Sequence, residues 1–113
     1  MSLFAEVKDS LPVSGNDYDG QIIREIKACA LDLTTSAEIV LPGTIVISRD
    51  TITGAVSDYS TITDELIITV ISVWCNLHIG NPPNAEMLQK VYNGFKGQLR
   101  LSKHYTHYGE AAE

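Results

Sequence analysis

The residues of this chain best suited to chemistry are its two cysteines, its three histidines and a few neighbouring carboxylates. Cys75 and His78 lie three positions apart, a spacing that places both on one face of a helix, where a histidine could activate a thiol as a nucleophile. A nucleophilic thiol also needs a lowered pKa, and nothing in the sequence supplies one. We therefore interpret the pair as a buried structural cysteine beside an amphipathic histidine.

Pairs of acids and histidines elsewhere in the chain also have structural explanations. Two carboxylate pairs stand where helices are predicted to begin, Asp17 with Asp19 and Asp64 with Glu65. Acids at these positions stabilise the helix dipole, which accounts for both pairs. His104 and His107 are three apart, but a metal site needs a third or fourth ligand, and nothing brings His78 near them. With no phosphate-binding glycine motif and no GxSxG motif, the sequence predicts no catalytic residue, no cofactor and no metal site.

Composition and charge are typical of a folded, acidic protein. Hydrophobic residues make up 44% of the chain and charged residues 19%, and the net charge is −6. Residues 1–65 hold eleven acids and four bases, whereas residues 66–103 hold one acid and four bases, so the two parts carry −7 and +3. Without a basic run the chain is a poor candidate for gripping nucleic acid. Its basic last helix could instead face an acidic protein surface, or simply solvent.

Cysteine usage and hydropathy indicate the compartment. Cys29 and Cys75 lie in apolar helical patterns, with no CxxC motif and no secretory signal, so we expect reduced structural thiols in a reducing compartment. The longest apolar run extends from Leu66 to Trp74 and is far too short to span a bilayer. The sequence therefore predicts no membrane association.

Hydrophobic periodicity predicts one mainly α-helical domain, a small bundle of three to four helices with a loop or short β-hairpin inserted in the middle. Pro12 ends the first helix, Asn16 or Asp17 caps the second, and Thr61 or Thr63 caps the third. The predicted segments are helices at 2–11, 18–34, 62–79 and 84–102 and a polar tail at 103–113.

Apolar stripes along these helices define a predicted core: Ile22, Ile26, Leu33, Leu66, Val70, Trp74, Leu88, Val91 and Phe95. The helix at 62–79 is apolar around most of its circumference, so we expect it to be central in the bundle or buried a second time in an interface. Gly94 and Gly97 lie inside the last helix, where each costs about 1 kcal/mol against alanine. Close approach of another backbone or a kink would explain them.

The middle segment, residues 40–58, is rich in Thr, Ile, Val, Gly and Ser. Thr44–Ser48 and Thr51–Val56 resemble short strands with a turn at Arg49–Asp50, and an irregular loop is the rival interpretation. A helical core does not need this segment, and unpaired strand edges readily pair with a neighbouring chain. We therefore predict inter-subunit contacts through three of its side chains, Ile45, Ile47 and Ile52.

The order of segments resembles a known family. A helix beginning Asp-Tyr-Asp-Gly-Gln-Ile-Ile at Asp17 precedes a variable middle, an apolar helix in DELIITVISVWCNLHIGNPP, and a last helix carrying YNGFKGQLRLSKHY. Nearly the whole chain is similar to the small head–tail connector, or adaptor, proteins of long-tailed bacteriophages. The resemblance rests on pattern and order, and the long Thr/Ile-rich middle departs from it.

This resemblance implies a structural virion protein, located in the host cytoplasm during assembly. Family members are helical and form a homo-oligomeric ring, usually of twelve copies, beneath the portal protein. The ring joins the head to the tail, offers a platform for the next connector or tail-completion protein, and extends the channel through which DNA passes without sequence-specific binding. An acidic chain suits a channel in which DNA must slide.

The end of the chain carries a second set of predicted contacts, because Tyr and Arg are frequent anchors of protein interfaces. The residues expected to meet a neighbouring virion protein, the portal first, are Arg100, Lys103, His104, Tyr105 and Tyr108. A frayed terminus is the plainer interpretation of the same residues. The alternative function is a small helical protein–protein interaction or regulatory module, and an enzyme using Cys75 or the tail histidines ranks third.

Overall fold

The computed structural model describes residues 2–79 and 82–102, which form four helices and a two-stranded antiparallel sheet. The predicted fold class is confirmed: the chain is a small, mainly helical domain with a β-hairpin between its second and third helices. The elements in chain order are α1 Leu3–Asp9, α2 Asp19–Thr35, β1 Ile47–Arg49, β2 Val56–Asp58, α3 Glu65–His78 and α4 Ala85–Leu101.

Helix α3 is the centre of the bundle, since α1, α2 and α4 all pack against it. Its β-branched residues have low intrinsic helix propensity, so tertiary packing must stabilise it. Its fully buried side chains are Ile67, Val70, Ile71 and Cys75. They meet a buried stripe of α2 made by Ile22, Ile26, Cys29 and Leu33.

The predicted core is right for α2 and less accurate for α3 and α4. Leu66, Trp74 and Phe95 are only partly buried, and they pack at the edge of the core. Val91 is 39% exposed, so its placement in the core is wrong. Tyr92, one position further along the helix, takes the buried place and is 1% exposed.

The helix caps also differ from those predicted. Asp64 caps α3, where its Oδ1 accepts hydrogen bonds from the N–H groups of Leu66 and Ile67 at 2.9 and 3.2 Å. The capping role predicted for Thr61 or Thr63 is therefore wrong, and the Thr61 hydroxyl instead accepts a hydrogen bond from the Thr44 N–H. The residue at the N-cap of α2 is Tyr18, which makes no side-chain capping hydrogen bond, so the capping role predicted for Asn16 or Asp17 is wrong.

The hairpin forms with a longer turn than predicted. Ile47 pairs with Asp58 and Arg49 with Val56, so the reversal occupies residues 50–55 and not Arg49–Asp50. The Asp50 carboxylate organises this turn by accepting hydrogen bonds from the backbone N–H groups of Thr53 and Ile52, which lower the pKa of its carboxyl group. Gly54 adopts a φ of +77°, a conformation that favours glycine, and it lets the chain return.

The base of the hairpin is fixed to the helices by specific contacts. Asp58 Oδ2 accepts a hydrogen bond of 2.8 Å from the Phe4 N–H at the start of α1. Partial burial acts to raise the pKa of Asp58, but hydrogen bonds from Phe4 and Ser60 outweigh it, and the pKa lies below its ordinary value. In the segment before β1, a Cβ at Gly43 would lie 2.9 Å from the Thr61 hydroxyl oxygen and 3.1 Å from the Ile62 backbone nitrogen, so glycine allows this close approach.

Candidate interaction surfaces

Helix α4 is held against the bundle by a network centred on Tyr92. The tyrosine hydroxyl donates a hydrogen bond of 2.6 Å to Asp32 Oδ2 on α2, and the Cys29 thiol approaches the same hydroxyl at 3.9 Å. Lys96 Nζ donates to Asp32 Oδ2 at 3.2 Å and also reaches Ser36. Burial, followed by the hydrogen bond to Asp32, raises the pKa of Tyr92 above its ordinary value. The contact fixes which face of α4 meets the core.

A second face of α4 is open and largely apolar. The core-facing side of the helix carries Tyr92, Phe95 and Leu99, with the partly buried Leu88 one turn earlier on the same side. The neighbouring stripe, offset by one residue, contains the exposed side chains Met87, Val91 and Leu101, with Gly94 and the exposed Gln98 between Val91 and Leu101. We call Met87, Val91, Gly94 and Leu101 the α4 stripe.

The glycines of α4 lie on its exposed side. A Cβ placed at Gly94 or Gly97 would meet no atom within 4 Å, so packing among the described residues does not require either glycine. Each still costs helix stability relative to alanine. Neither position is therefore explained by the fold, and both keep this side of α4 free of large side chains.

The hairpin presents two faces of different character. Ile47 is 3% exposed and packs into the chain's own core, so its predicted role in a subunit contact does not fit its position. Ile45 is partly buried against the same core. Ile52 is 93% exposed at the turn, and Val46 and Tyr59 are exposed on the outer face. Of the three predicted contact residues, only Ile52 presents its side chain outward.

An open groove of about 380 Å³ lies beside α1 on another part of the molecule. Its lining is apolar at Phe4, Leu11 and Val13 and polar at Lys8 and Asp9, with Ala5 between the two parts. Lys8 is held across the end of α1 by Asp19, since its Nζ donates to Asp19 Oδ1 at 2.7 Å. We call this depression the α1 groove.

The predicted portal-contact residues lie mostly outside the described part of the chain. Arg100 is exposed in the last turn of α4, on the side away from the core. The remaining four, Lys103, His104, Tyr105 and Tyr108, follow Ser102 and lie outside the described residues.

Cys75 and His78, the pair considered for a nucleophilic role, differ in their exposure to solvent. Cys75 is fully buried, whereas His78 is exposed, stacks on Trp74 with ring centroids 4.2 Å apart, and donates from Nδ1 to the Trp74 carbonyl oxygen. Burial is the main cause that raises the pKa of both thiols, to about 12 for Cys29. This environment suppresses the thiolate that nucleophilic chemistry needs.

The burial of both thiols gives a direct expectation for their reactivity. In the native protein at pH 8, neither Cys29 nor Cys75 should react with an aromatic disulfide reagent, because both are inaccessible and protonated. Adding denaturant should release two reactive thiols per chain, measured by the absorbance of the released thiolate. Rapid modification of one thiol in the native state would contradict the structural role and return Cys75 to consideration as a nucleophile.

Comparison of the chain with known protein families, curated proteins and solved structures found no match. Within residues 2–79 and 82–102, no helix is long and apolar enough to cross a membrane, and no group of three His, Cys, Asp or Glu side chains is arranged to hold a metal ion.

Proposed function

We propose that this chain is a structural assembly protein, a head–tail connector of a long-tailed bacteriophage that forms a ring beneath the portal. The observation that carries the proposal is the α4 stripe: a helix already packed in the core presents a second apolar face to solvent. Adjacent exposed apolar side chains on a small domain mark interaction sites more often than isolated ones do.

Two further features support an assembly role over a catalytic one. Among the described residues, both thiols are buried in the core, and His78 is hydrogen-bonded to the Trp74 carbonyl oxygen. The net charge of −6 is compatible with a channel wall along which DNA slides. In this proposal the ring contains about twelve copies, as the resemblance implies, and it contacts the portal on one side and the next connector or tail-completion protein on the other.

The proposal assigns the portal contact to the end of the chain, through Arg100, Lys103, His104, Tyr105 and Tyr108. Leu99 is the last fully buried side chain of α4, Arg100 after it is exposed, and the other four lie outside the described residues. The experiment compares two truncations: one after Ser102, which keeps every described residue, and a matched control after Gly109, which keeps the proposed contact residues.

Purified proteins would be incubated with DNA-filled heads that carry the portal but lack the connector, and bound rings would be imaged by electron microscopy. We expect the full chain and the longer truncation to dock, and the shorter one to remain folded, with unchanged melting, but fail to dock. Docking by both truncations would move the portal contact elsewhere on the chain. A full-length protein that stays a monomer or dimer and never binds heads would overturn the connector proposal and favour the regulatory module.

A further inference from the structure

We propose that copies of this chain associate head to tail, with the α4 stripe of one copy seated in the α1 groove of the next. The inference rests on the proposed function, and it names the surfaces through which the ring would close. It follows from three features of the described residues: two unlike apolar surfaces, their opposite charge surroundings, and the glycines beside the stripe.

The two surfaces are complementary in form. The α4 stripe is a convex helix face on which Met87, Val91 and Leu101 project into solvent. The α1 groove is an open depression, and because Phe4 and Leu11 are 8% and 6% exposed, it offers a small apolar surface that receives side chains of the stripe and not the whole helix face. They belong to different elements that pack separately against α3, so one copy can offer both at once.

Their charge surroundings are opposite. The described residues around the groove, 2–20, contain four acids and one base, whereas residues 82–102 contain one acid and three bases. Near the groove, Asp9 is exposed, and Lys8 is already paired with Asp19. On α4, Lys90 is exposed beside the stripe. Docking α4 on the groove therefore places unlike charges together, while a symmetric contact of two stripes would place like charges together, which is costly.

Glycines 94 and 97 gain a role in this arrangement. Both leave open space on the exposed side of α4, at or beside the stripe. A helix with such gaps can approach another surface closely, which increases contact between the two backbones. This would offset the helix stability that the two glycines cost in the isolated chain.

Contact between two unlike surfaces has a geometric consequence. A heterologous interface leaves a free stripe at one end of every open assembly and a free groove at the other, so copies keep adding, and a ring forms when the rotation between neighbours closes. A symmetric dimer would bury the contact surface of both copies and would therefore stop growing at two copies. The α4 stripe and the α1 groove thus provide the type of contact that a ring requires.

Disulfide trapping tests the contact even when association is weak. One variant carries Ala5→Cys in the groove and the other Val91→Cys on the stripe, with tags of different mass. The natural thiols are buried and do not compete. The matched control replaces Val91→Cys with Ile52→Cys, at a position 93% exposed on the hairpin turn. Each pair is mixed, oxidised mildly with diamide and separated by mass.

We expect the yield of the disulfide-linked heterodimer to be about tenfold higher for the Ala5→Cys and Val91→Cys chains than for the Ala5→Cys and Ile52→Cys chains. The reason is that docking raises the effective concentration of the paired thiols. Introducing Met87→Glu into the Val91→Cys chain should reduce the yield to that of the control pair. Equal yields, no cross-link at all, or a dominant Val91–Val91 product would overturn head-to-tail docking. If heads still bind rings of the full chain in that case, the proposed function stands and only this inference fails.

Discussion

Replacing Tyr92 with alanine is expected to lower the free energy of unfolding by about 3–5 kcal/mol, the range for removing a buried aromatic side chain. Tyr92 is the largest fully buried side chain among the described residues, and it also supports the T-shaped contact with Trp74, with ring centroids 5.1 Å apart. Its loss leaves a cavity between α4 and the bundle and removes the hydroxyl that donates to Asp32. A domain of this size has little stability to spare, so the variant should be partly unfolded at 37 °C.

Two companion variants separate the causes. Tyr92→Phe keeps the ring and removes the hydroxyl, and we expect a loss of only about 1–2 kcal/mol, because Asp32 keeps its hydrogen bond from Lys96. Tyr59→Ala removes an exposed tyrosine and should change stability little. Denaturant unfolding followed by circular dichroism measures all three. A loss for Tyr92→Ala no greater than that for Tyr92→Phe would show that the ring is not a core element.

Replacing Lys8 with alanine should produce the second large effect. The side chain of Asp19 is 5% exposed, and Lys8 holds it at 2.7 Å, so the substitution leaves a buried carboxylate without its cation. Breaking such a pair costs up to several kcal/mol. Because the Lys8 side chain is partly exposed and Asp19 also benefits from the N-terminal end of α2, we expect about 2–3 kcal/mol.

The double variant Lys8→Ala/Asp19→Asn distinguishes an orphaned charge from lost packing. A neutral amide costs less to bury without a cation than a carboxylate does, so the double variant should be more stable than Lys8→Ala alone. Lys27→Ala, which removes an exposed lysine of α2, is the matched control. Thermal and denaturant unfolding provide the comparison. A double variant no more stable than the single one would indicate that the loss comes from packing of the lysine stem and not from an orphaned charge.

Local periodicity predicts the helices and most of the core because the spacing of apolar residues in one segment shows which face of that segment is buried. Periodicity cannot decide which of two adjacent apolar residues faces the bundle. It placed Val91 in the core, where the structure has Tyr92. Burial of the tyrosine ring favours Tyr92, and so does Asp32, sixty positions earlier in the chain, which accepts a hydrogen bond from the Tyr92 hydroxyl. A long-range partner of this kind leaves no trace in a local pattern. The cap of α3 is a different case, because Thr61, Thr63 and Asp64 are all residue types that cap helices, and Asp64 is the one that does so.

The candidate surfaces were harder to predict than the fold. The apolar excess of the last helices indicates that an extra contact exists, but the position of the α4 stripe depends on which face Tyr92 draws inward. The α1 groove arises where α1 and the segment after Leu11 meet, and no single stretch of sequence encodes it. Ile47 illustrates the opposite error. Its apolar side chain in a predicted strand suggested a contact with another subunit, but the fold turns this side chain into the chain's own core.

The pairing of Asp32 with α4 has a consequence for how the chain folds during synthesis. The Tyr92 and Lys96 partners lie 60 and 64 positions after Asp32, and Phe4 meets Asp58 across 54 positions. The first half of the chain therefore leaves the ribosome with the apolar stripe of α2 uncovered, and Cys29 stays open to oxidants until α3 and α4 arrive. Newly made chains should be protected from thiol reagents only after the last helix has been translated.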